Sequence, residues 1–316
     1  MYTFPDMNFE AFVLGCGGMM PLPYRHLTSV LLRREGDIFL FDCGEGTQVS
    51  LRRLNLRWKK INAVFISHTH ADHVTGLPGL LMLSSQVARE TPLYIFGPPK
   101  IAEYVNANRK ILDMYINYDI VVKELDPSVP GLVYSGEDFD VYSFPLRHTK
   151  ACVGYRFAEH PRPGAFHPQK ALELGVPCGP LWSRLQHGET VTAENGARIR
   201  PEDVLGNARK GRTFCYVTDS SPLPSISSEV RGADLFVCEG MFERELADTA
   251  AEKRHMTAEQ AAELARAAAV KKLALIHYSP RYTDSDLKRL LEEARAVFPD
   301  SVLTKDRMVL PIEYED

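Results

Sequence analysis

The chain has 316 residues, of which 45% are hydrophobic and 25% charged, as in an ordinary globular protein with one large domain or two small ones. Its net charge of -4 excludes a general electrostatic attraction to nucleic acid, so such contacts would need local basic patches. The six cysteines include no Cys-x-x-Cys pair, which argues against a thiolate zinc site. Residues 1–6 do not resemble a signal peptide, and no apolar run approaches the roughly 20 residues of a membrane span. The sequence therefore predicts a cytoplasmic protein with reduced thiols and no membrane partner.

Short strands separated by turns that contain Gly and Pro dominate the first third of the chain. Apolar and β-branched runs predict these strands at residues 9–14, 27–33, 38–41, 63–66 and 93–96. Apolar residues at helical spacing predict helices at residues 48–54, 77–87 and 101–111. This alternation of buried strands and helices indicates an α/β layered fold.

The stretch at about residues 159–206 differs from its surroundings. It is rich in Pro and Gly, and its apolar periodicity is weak. We interpret it as an insertion that projects from the core, with a short helix at residues 169–174. An ordinary long connection is the alternative, but loops of this length are uncommon in compact domains and often functional. We thus expect one domain over residues 1–316, with an inserted arm at about 159–206.

Regular patterns return after this stretch. Strands are predicted at residues 213–217, 235–238 and 273–276. Thr257 and Gln260 fit a capping box, which predicts that an Ala-rich helix begins there. One apolar face over residues 287–297 predicts a final helix.

The most informative segment is the run His68-Thr69-His70-Ala71-Asp72-His73, which we expect to be a single loop after a buried strand. Imidazole and carboxylate are ligands that zinc takes in catalytic sites. His68 and His70 can face one metal ion, while Asp72 and His73 can face a second about 3.5–4 Å away. A solvated turn that happens to be rich in histidine is the alternative. Three of the ten histidines within six positions, beside an aspartate, favour the metal site.

Two metal ions need more ligands than this loop supplies. His148, Asp219 and His277 each come directly after an apolar run that predicts a strand. Taken singly, each could be a capping or core residue. Strand ends in layered α/β folds tend to converge on one edge, so together with the histidine loop they predict a shared site.

Several motifs resemble one known family. They are Gly15-Cys16-Gly17-Gly18, Phe41-Asp42-Cys43-Gly44-Glu45-Gly46-Thr47-Gln48, the histidine loop with Gly76-Leu77-Pro78-Gly79, and Ile276-His277-Tyr278-Ser279-Pro280-Arg281-Tyr282. This set, between about residues 10 and 298, resembles the metallo-β-lactamase superfamily and, within it, the ribonuclease Z family of tRNA 3′-processing endonucleases. The Phe-Asp-Cys-Gly-Glu-Gly-Thr-Gln run is more specific than the histidine motif, which the whole superfamily shares. The resemblance implies an αββα sandwich with two mixed sheets and a protruding flexible arm.

The resemblance also implies two zinc ions per chain, with manganese as a possible replacement. The first ion would have the ligands His68, His70, His148 and Asp219. The second ion would have the ligands Asp72, His73, Asp219 and His277. Asp219 would therefore bridge the two ions.

Catalytic roles follow from the same resemblance. Asp72 is expected to be the proton acceptor, and Glu239 and His255 match the family's carboxylate and histidine pair beside the leaving group. Without the resemblance, Glu239 would be a structural carboxylate and His255 a helix-entry residue. His255, oriented by Glu239, would donate a proton to the departing ribose oxygen. Asp42 is expected to orient a ligand rather than bind metal.

The implied activity is cleavage of precursor tRNA at its 3′ trailer, leaving a 3′-hydroxyl. The arm would grip the tRNA elbow, with one subunit of a homodimer clamping tRNA over the active site of the other. Residues 159–205 hold only five basic against six acidic residues, which is less basic than the family's usual arm. Basic patches at 51–60 and 209–212 are alternative RNA contacts. The competing hypotheses are a phosphodiesterase for small phosphodiesters such as cyclic nucleotides and a non-catalytic RNA-binding protein.

Overall fold

The computed structural model of the protein describes residues 9–86 and 89–314. The predictions made for residues 1–6 and for Val87 therefore lie outside the described residues. Within those ranges, no helix is both long enough and apolar enough to cross a membrane.

The described residues form sixteen strands and eleven α-helices. The strands are β1 Phe9–Gly15, β2 Ser29–Arg34, β3 Asp37–Phe41, β4 Ile61–Phe65, β5 Leu93–Gly97, β6 Ile120–Glu124, β7 Gly131–Ser135, β8 Phe139–Arg147, β9 Ala151–Glu159, β10 Val191–Thr192, β11 Arg198–Ile199, β12 Thr213–Val217, β13 Leu235–Glu239, β14 Leu273–Ile276, β15 Ser301–Leu303 and β16 Val309–Pro311. The helices are α1 Thr47–Arg53, α2 Ala71–Val74, α3 Leu77–Gln86, α4 Ile101–Ile111, α5 Pro168–Glu173, α6 Pro180–Gln186, α7 Pro201–Val204, α8 Pro224–Glu229, α9 Ala247–Lys253, α10 Ala258–Ala267 and α11 Leu287–Val297.

Two seven-stranded sheets carry most of the strands. The first has the order β16-β1-β2-β3-β4-β5-β6, antiparallel from β16 to β3 and parallel from β3 to β6. The second has the order β15-β14-β13-β12-β9-β8-β7, with parallel pairs from β12 to β15 and an antiparallel pair between β7 and β8. Both sheets are mixed, which confirms the prediction.

Aromatic side chains fill the space between the two sheets. The ring of Phe39 on the first sheet lies 5.4 Å from that of Phe139 on the second, and the rings of Phe41 and Phe214 lie 5.1 Å apart. Each buried aromatic side chain contributes about 1.5–3 kcal/mol through apolar burial. Helices α1, α3 and α4 cover the outer face of the first sheet, and α10 and α11 cover that of the second. This layering confirms the predicted αββα fold.

Most predicted elements occur within a residue or two of their expected ends, and the final helix has the predicted bounds. The strand expected at residues 27–33 begins two residues later, at Ser29, because the amide of Leu27 donates to the carbonyl of Glu45. One local prediction is wrong. The histidine loop is not a loop throughout, because residues 71–74 form the one-turn helix α2.

Residues Ala158–Gly211 form a compact unit of their own. The unit contains α5, α6, α7 and the small β10–β11 sheet around a core of seven buried residues: Ala171, Val176, Leu185, Val191, Ala193, Ile199 and Val204. Its helices have only four to seven residues, too few turns to produce a visible apolar period. Arg162 and Arg209 exchange two backbone hydrogen bonds of 2.8 and 2.9 Å, so both ends of the unit meet. The exosite role of this segment stays a prediction.

Candidate active site

The structure brings together all seven residues that were predicted as metal ligands. His68, His148, Asp219 and His277 follow the ends of β4, β8, β12 and β14 by one to three residues, and helix α2 turns Asp72 and His73 toward the same edge. The candidate site therefore takes residues from the ends of strands in both sheets. The sequence interval between His73 and His277 is 204 residues, yet their Nε2 atoms lie 3.3 Å apart.

The first cluster consists of His68, His70, His148 and Asp219. His70 Nδ1 lies 2.9 Å from His68 Nε2 and 3.2 Å from His148 Nε2. Oδ2 of Asp219 lies 3.5 Å from Nε2 of both His68 and His148. Three imidazole nitrogens and one carboxylate oxygen thus face a common point.

The second cluster adds Asp72, His73 and His277, and it uses the other oxygen of Asp219. Oδ1 of Asp219 lies 3.3 Å from His73 Nε2 and 3.1 Å from His277 Nε2. Asp72 Oδ2 lies 3.3 Å from His277 Nε2 and accepts a 2.7 Å hydrogen bond from the amide of Met19. Asp219 therefore stands between the clusters with one oxygen toward each.

These donor atoms fit divalent metal ions. Buried polar groups normally have hydrogen-bond partners, but Oδ1 of Asp219 is fully buried and accepts no well-aligned hydrogen bond within the described residues. Neutral imidazole nitrogens that converge on one point carry lone pairs, which a cation stabilises. Imidazole and carboxylate are ligands for zinc and related divalent ions. The arrangement is consequently a candidate metal centre rather than a set of satisfied polar side chains.

Asp42 contacts His73, one of the candidate ligands of the second cluster, and holds the orientation of its ring. Its carboxylate is completely buried and accepts hydrogen bonds from the Ser67 amide (2.7 Å), the Ser67 hydroxyl (2.8 Å), His73 Nδ1 (2.7 Å) and the Tyr216 hydroxyl (2.8 Å). A hydrogen bond at Nδ1 leaves His73 Nε2 as the atom available to a metal ion. Asp42 thus contacts a candidate ligand in the way expected of an orienting carboxylate.

The pKa values of the histidines reflect burial and nearby carboxylates. Burial lowers the pKa of His148 to about 4, so its ring is neutral at pH 7 as a metal ligand must be. Burial also lowers the pKa of His68. At His73 burial acts in the same direction, but the carboxylates of Asp219, Asp42 and Asp72 outweigh it and raise the pKa. A carboxylate-rich environment of this kind also attracts metal cations.

Glu239 and His255 form the expected pair beside the first cluster. Glu239 Oε2 lies 3.0 Å from His255 Nδ1, and Glu239 Oε1 accepts a 2.6 Å hydrogen bond from the amide of Ser220. His255 Nε2 lies 3.9 Å from Asp219 Oδ2. Burial lowers the pKa of His255, but the Glu239 carboxylate outweighs this and raises the pKa to about 9. The ring is therefore held with Nε2 toward the candidate metal centre.

Two glycines permit the close approach of loops around the centre. A Cβ on Gly18 would lie 2.7 Å from the ring of His277, and a Cβ on Gly44 would lie 2.5 Å from the carbonyl oxygen of Asp72. No larger residue fits at either position without displacing a candidate ligand. The glycine-containing motifs of the sequence therefore have a steric role at the site.

Some contributing residues were not identified from the sequence. Tyr216 reaches Asp42 from the second sheet, and the carbonyl of Arg254 lies 3.0 Å from His148 Nδ1. Neither residue belongs to a recognisable motif, because each acts through a contact between distant segments. One predicted RNA contact, Arg212, is only 3% exposed and lies 3.8 Å from the ring of Tyr314, so its charge does not face solvent.

The fold and the site define a metal-dependent hydrolase of the metallo-β-lactamase superfamily. A family model described as a beta-lactamase superfamily domain matches residues 180–278, and one described as anti-Pycsar protein Apyc1 matches residues 9–109. The crystal structure of human tRNase Z, short form, aligns with 96% of this chain and 99% of its own at 26% identity, with a TM-score of 0.72. Yeast PDE1, at 13% identity and a TM-score of 0.57, shares the fold alone.

Relatives in Treponema and Borrelia have a higher sequence identity to this chain. Ribonuclease Z of Treponema denticola is 69% identical over 98% of this chain and 100% of its own length. Ribonuclease Z of Treponema pallidum is 64% identical over 98% and 99%, and that of Borrelia hermsii is 42% identical over 96% and 97%. The chain belongs to the ribonuclease Z family.

Proposed function

We propose that this protein is an endoribonuclease that removes the 3′ trailer from precursor tRNA and leaves a 3′-hydroxyl. The observation that carries the proposal is the position of Asp219 between two histidine clusters, in a chain 69% identical to a ribonuclease Z over nearly its whole length. Paired metal ions about 3.5–4 Å apart stabilise both the attacking and the leaving oxygen of a phosphodiester, and a carboxylate with one oxygen toward each cluster suits such a pair.

Two zinc ions per chain are the proposed cofactors. His68, His70, His148 and Asp219 would hold one ion. Asp72, His73, Asp219 and His277 would hold the other. When bound, such ions activate water for attack and offset negative charge on the scissile phosphate. The mixture of nitrogen and oxygen donors suits zinc, and manganese also accepts these ligand types.

The protein's own groups position the substrate and move protons. Asp72 is oriented by the Met19 amide at Oδ2 and would accept a proton from the attacking water. His255 would donate a proton from Nε2 to the departing ribose oxygen, because Glu239 holds its Nδ1 and keeps the ring charged. Both assignments rest on geometry together with the family resemblance.

The Ala158–Gly211 segment is the proposed exosite for the tRNA elbow, acting in a homodimer. Its small core supports a folded binding module rather than a loose connection. Two of its exposed arginines pair with acids, at 2.7 Å for Arg184 and Glu189 and at 3.7 Å for Arg200 and Glu202. Such pairing reduces the positive charge available for phosphates, so we expect the arm to supply shape recognition more than electrostatic affinity.

The test is cleavage of one precursor tRNA synthesised with and without an encoded CCA sequence, followed by analysis of both new ends. The proposal predicts a 3′-hydroxyl on the tRNA, a 5′-phosphate on the trailer and loss of activity with a chelator. Hydrolysis of cyclic nucleotides or other small phosphodiesters, without cleavage of either precursor, would support the competing phosphodiesterase hypothesis. Binding of tRNA without cleavage in the presence of zinc or manganese would support a non-catalytic protein.

A further inference from the structure

Two cations flank His148 at the rim of the candidate metal centre. Lys150 Nζ donates a 2.9 Å hydrogen bond to the carbonyl of Thr69, which stands between His68 and His70. Arg254 Nη1 donates a 2.8 Å hydrogen bond to the carbonyl of His148 itself. Both charged groups are thus anchored to the backbone of segments that carry candidate ligands.

This anchoring leaves most of their hydrogen-bonding capacity unused. A lysine ammonium has three donors and a guanidinium has five. Each side chain is exposed, and neither Lys150 nor Arg254 forms an ion pair within residues 9–86 and 89–314. The backbone bonds fix where the charges lie, while the remaining donors face solvent beside the site.

Because the rest of the protein has no excess of positive charge, Lys150 and Arg254 should supply a large share of its attraction to RNA phosphates. The chain carries a net charge of -4, and its arm holds slightly more acidic than basic residues. Phosphate contacts dominate the affinity of proteins for nucleic acid, so positive charge must be concentrated where the RNA backbone passes. Lys150 lies beside the first cluster, because the carbonyl that it contacts belongs to the residue between His68 and His70.

We propose that Lys150 and Arg254 bind the RNA phosphates next to the scissile bond and so select a polynucleotide over a small phosphodiester. The inference rests on the proposed endoribonuclease function and adds two residues to it. Their guanidinium and ammonium groups would contact non-bridging oxygens of the flanking phosphates, while the scissile phosphate would lie at the candidate metal centre. Arginine can do so with two parallel hydrogen bonds, and lysine acts as a point charge.

The experiment compares Lys150→Gln, Arg254→Gln and Arg254→Lys with the matched control Lys110→Gln, which changes an exposed lysine on α4. For each variant, kcat/KM on precursor tRNA is measured between 50 and 200 mM salt, alongside hydrolysis of bis(p-nitrophenyl) phosphate. Loss of one phosphate contact lowers the salt slope by about 0.7–0.9. When salt is raised from 50 to 200 mM, the fall in kcat/KM on precursor tRNA should thus be about three-fold smaller for Lys150→Gln and for Arg254→Gln than for the wild type. Arg254→Lys and Lys110→Gln should keep the wild-type slope. Lys110→Gln should also hydrolyse the small ester as the wild type does, whereas the Lys150 and Arg254 variants should lose much less activity on the small ester than on precursor tRNA.

A wild-type salt slope in Lys150→Gln would overturn the inference while leaving the endoribonuclease function intact. Equal losses on tRNA and on the small ester would also overturn it, because Lys150 and Arg254 would then only position His148 and the Thr69 carbonyl. If the wild-type protein cleaved no precursor tRNA, the proposed function itself would fail, and this inference with it.

Discussion

Oδ2 of Asp42 lies 2.7 Å from Nδ1 of His73, and this contact joins the end of β3 to a candidate metal ligand on α2. The same oxygen accepts a hydrogen bond from Tyr216 on the second sheet. The orientation of one ligand therefore depends on how the two sheets pack.

Replacing Asp42 with Asn should weaken metal binding by about 10–100-fold, the usual effect of removing a group that orients a ligand. The amide would present a donor where four donors now converge. Competition with a chromophoric chelator measures the affinity. Asp126→Asn, at an exposed turn, is the matched control and should bind metal as the wild type does. Equal affinity in Asp42→Asn and wild type would contradict the orienting role.

The metal content of the protein should be two ions per chain. His70→Ala removes a ligand of the first cluster only and should leave about one ion, with hydrolysis abolished. The fold should persist because His70 is half-buried and lies in the loop between β4 and α2, outside the sheets. Elemental analysis and circular dichroism check these outcomes, with His187→Ala as an exposed-histidine control. Fully active protein with only trace metal would contradict the two-metal site.

His255→Ala should reduce turnover on precursor tRNA far more than on bis(p-nitrophenyl) phosphate. A general acid contributes about 10²–10⁴-fold, and a nitrophenolate leaving group needs little protonation. Glu239→Gln should show the same pattern with a smaller effect, because it weakens the hold on His255 Nδ1. The measurement is kcat on both substrates. Equal losses on the two substrates would assign His255 a structural role instead.

Excision of the Ala158–Gly211 unit should separate tRNA recognition from chemistry. Because Arg162 and Arg209 exchange two backbone hydrogen bonds, removing residues 163–208 and joining these two with a Gly-Ser turn should close a short hairpin. All seven candidate ligands lie outside the cut, so metal content and hydrolysis of the small ester should persist. Cleavage of precursor tRNA should fall steeply. Unchanged tRNA cleavage would exclude an exosite in this unit.

The capping box at the start of α10 gives a stability prediction. Thr257 accepts a hydrogen bond from the amide of Gln260, whose side chain accepts one from the amide of Thr257. Thr257→Ala should lower the free energy of unfolding by about 1 kcal/mol. The midpoint of urea denaturation measures the change, and Thr91→Ala at an exposed position is the control. An unchanged midpoint in Thr257→Ala would mean that the cap contributes little.

Local patterns in the sequence were sufficient for the strands that precede the candidate ligands, for several helices and for the candidate ligands themselves, but not for elements such as β6, β7, β15 and β16. The apolar face of residues 287–297 predicted α11 correctly, and the Thr257–Gln260 spacing predicted the start of α10. The histidine run after an apolar strand predicted ligands at a strand end. These signals depend on neighbours within a few residues, where chain geometry alone decides which side chains share a face.

Only the tertiary structure decided how these ligands meet and what surrounds them. The two oxygens of Asp219 face different clusters because strand ends from both sheets converge there, and local periodicity carries no information on that packing. Tyr216, Lys150 and Arg254 were missed for the same reason, since each reaches the site across at least 80 intervening positions. The small core of the Ala158–Gly211 unit was hidden because its helices are too short to show a period. Sequence therefore determined which residues could bind metal, and folding determined their partners, because packing between distant segments brings those partners into contact.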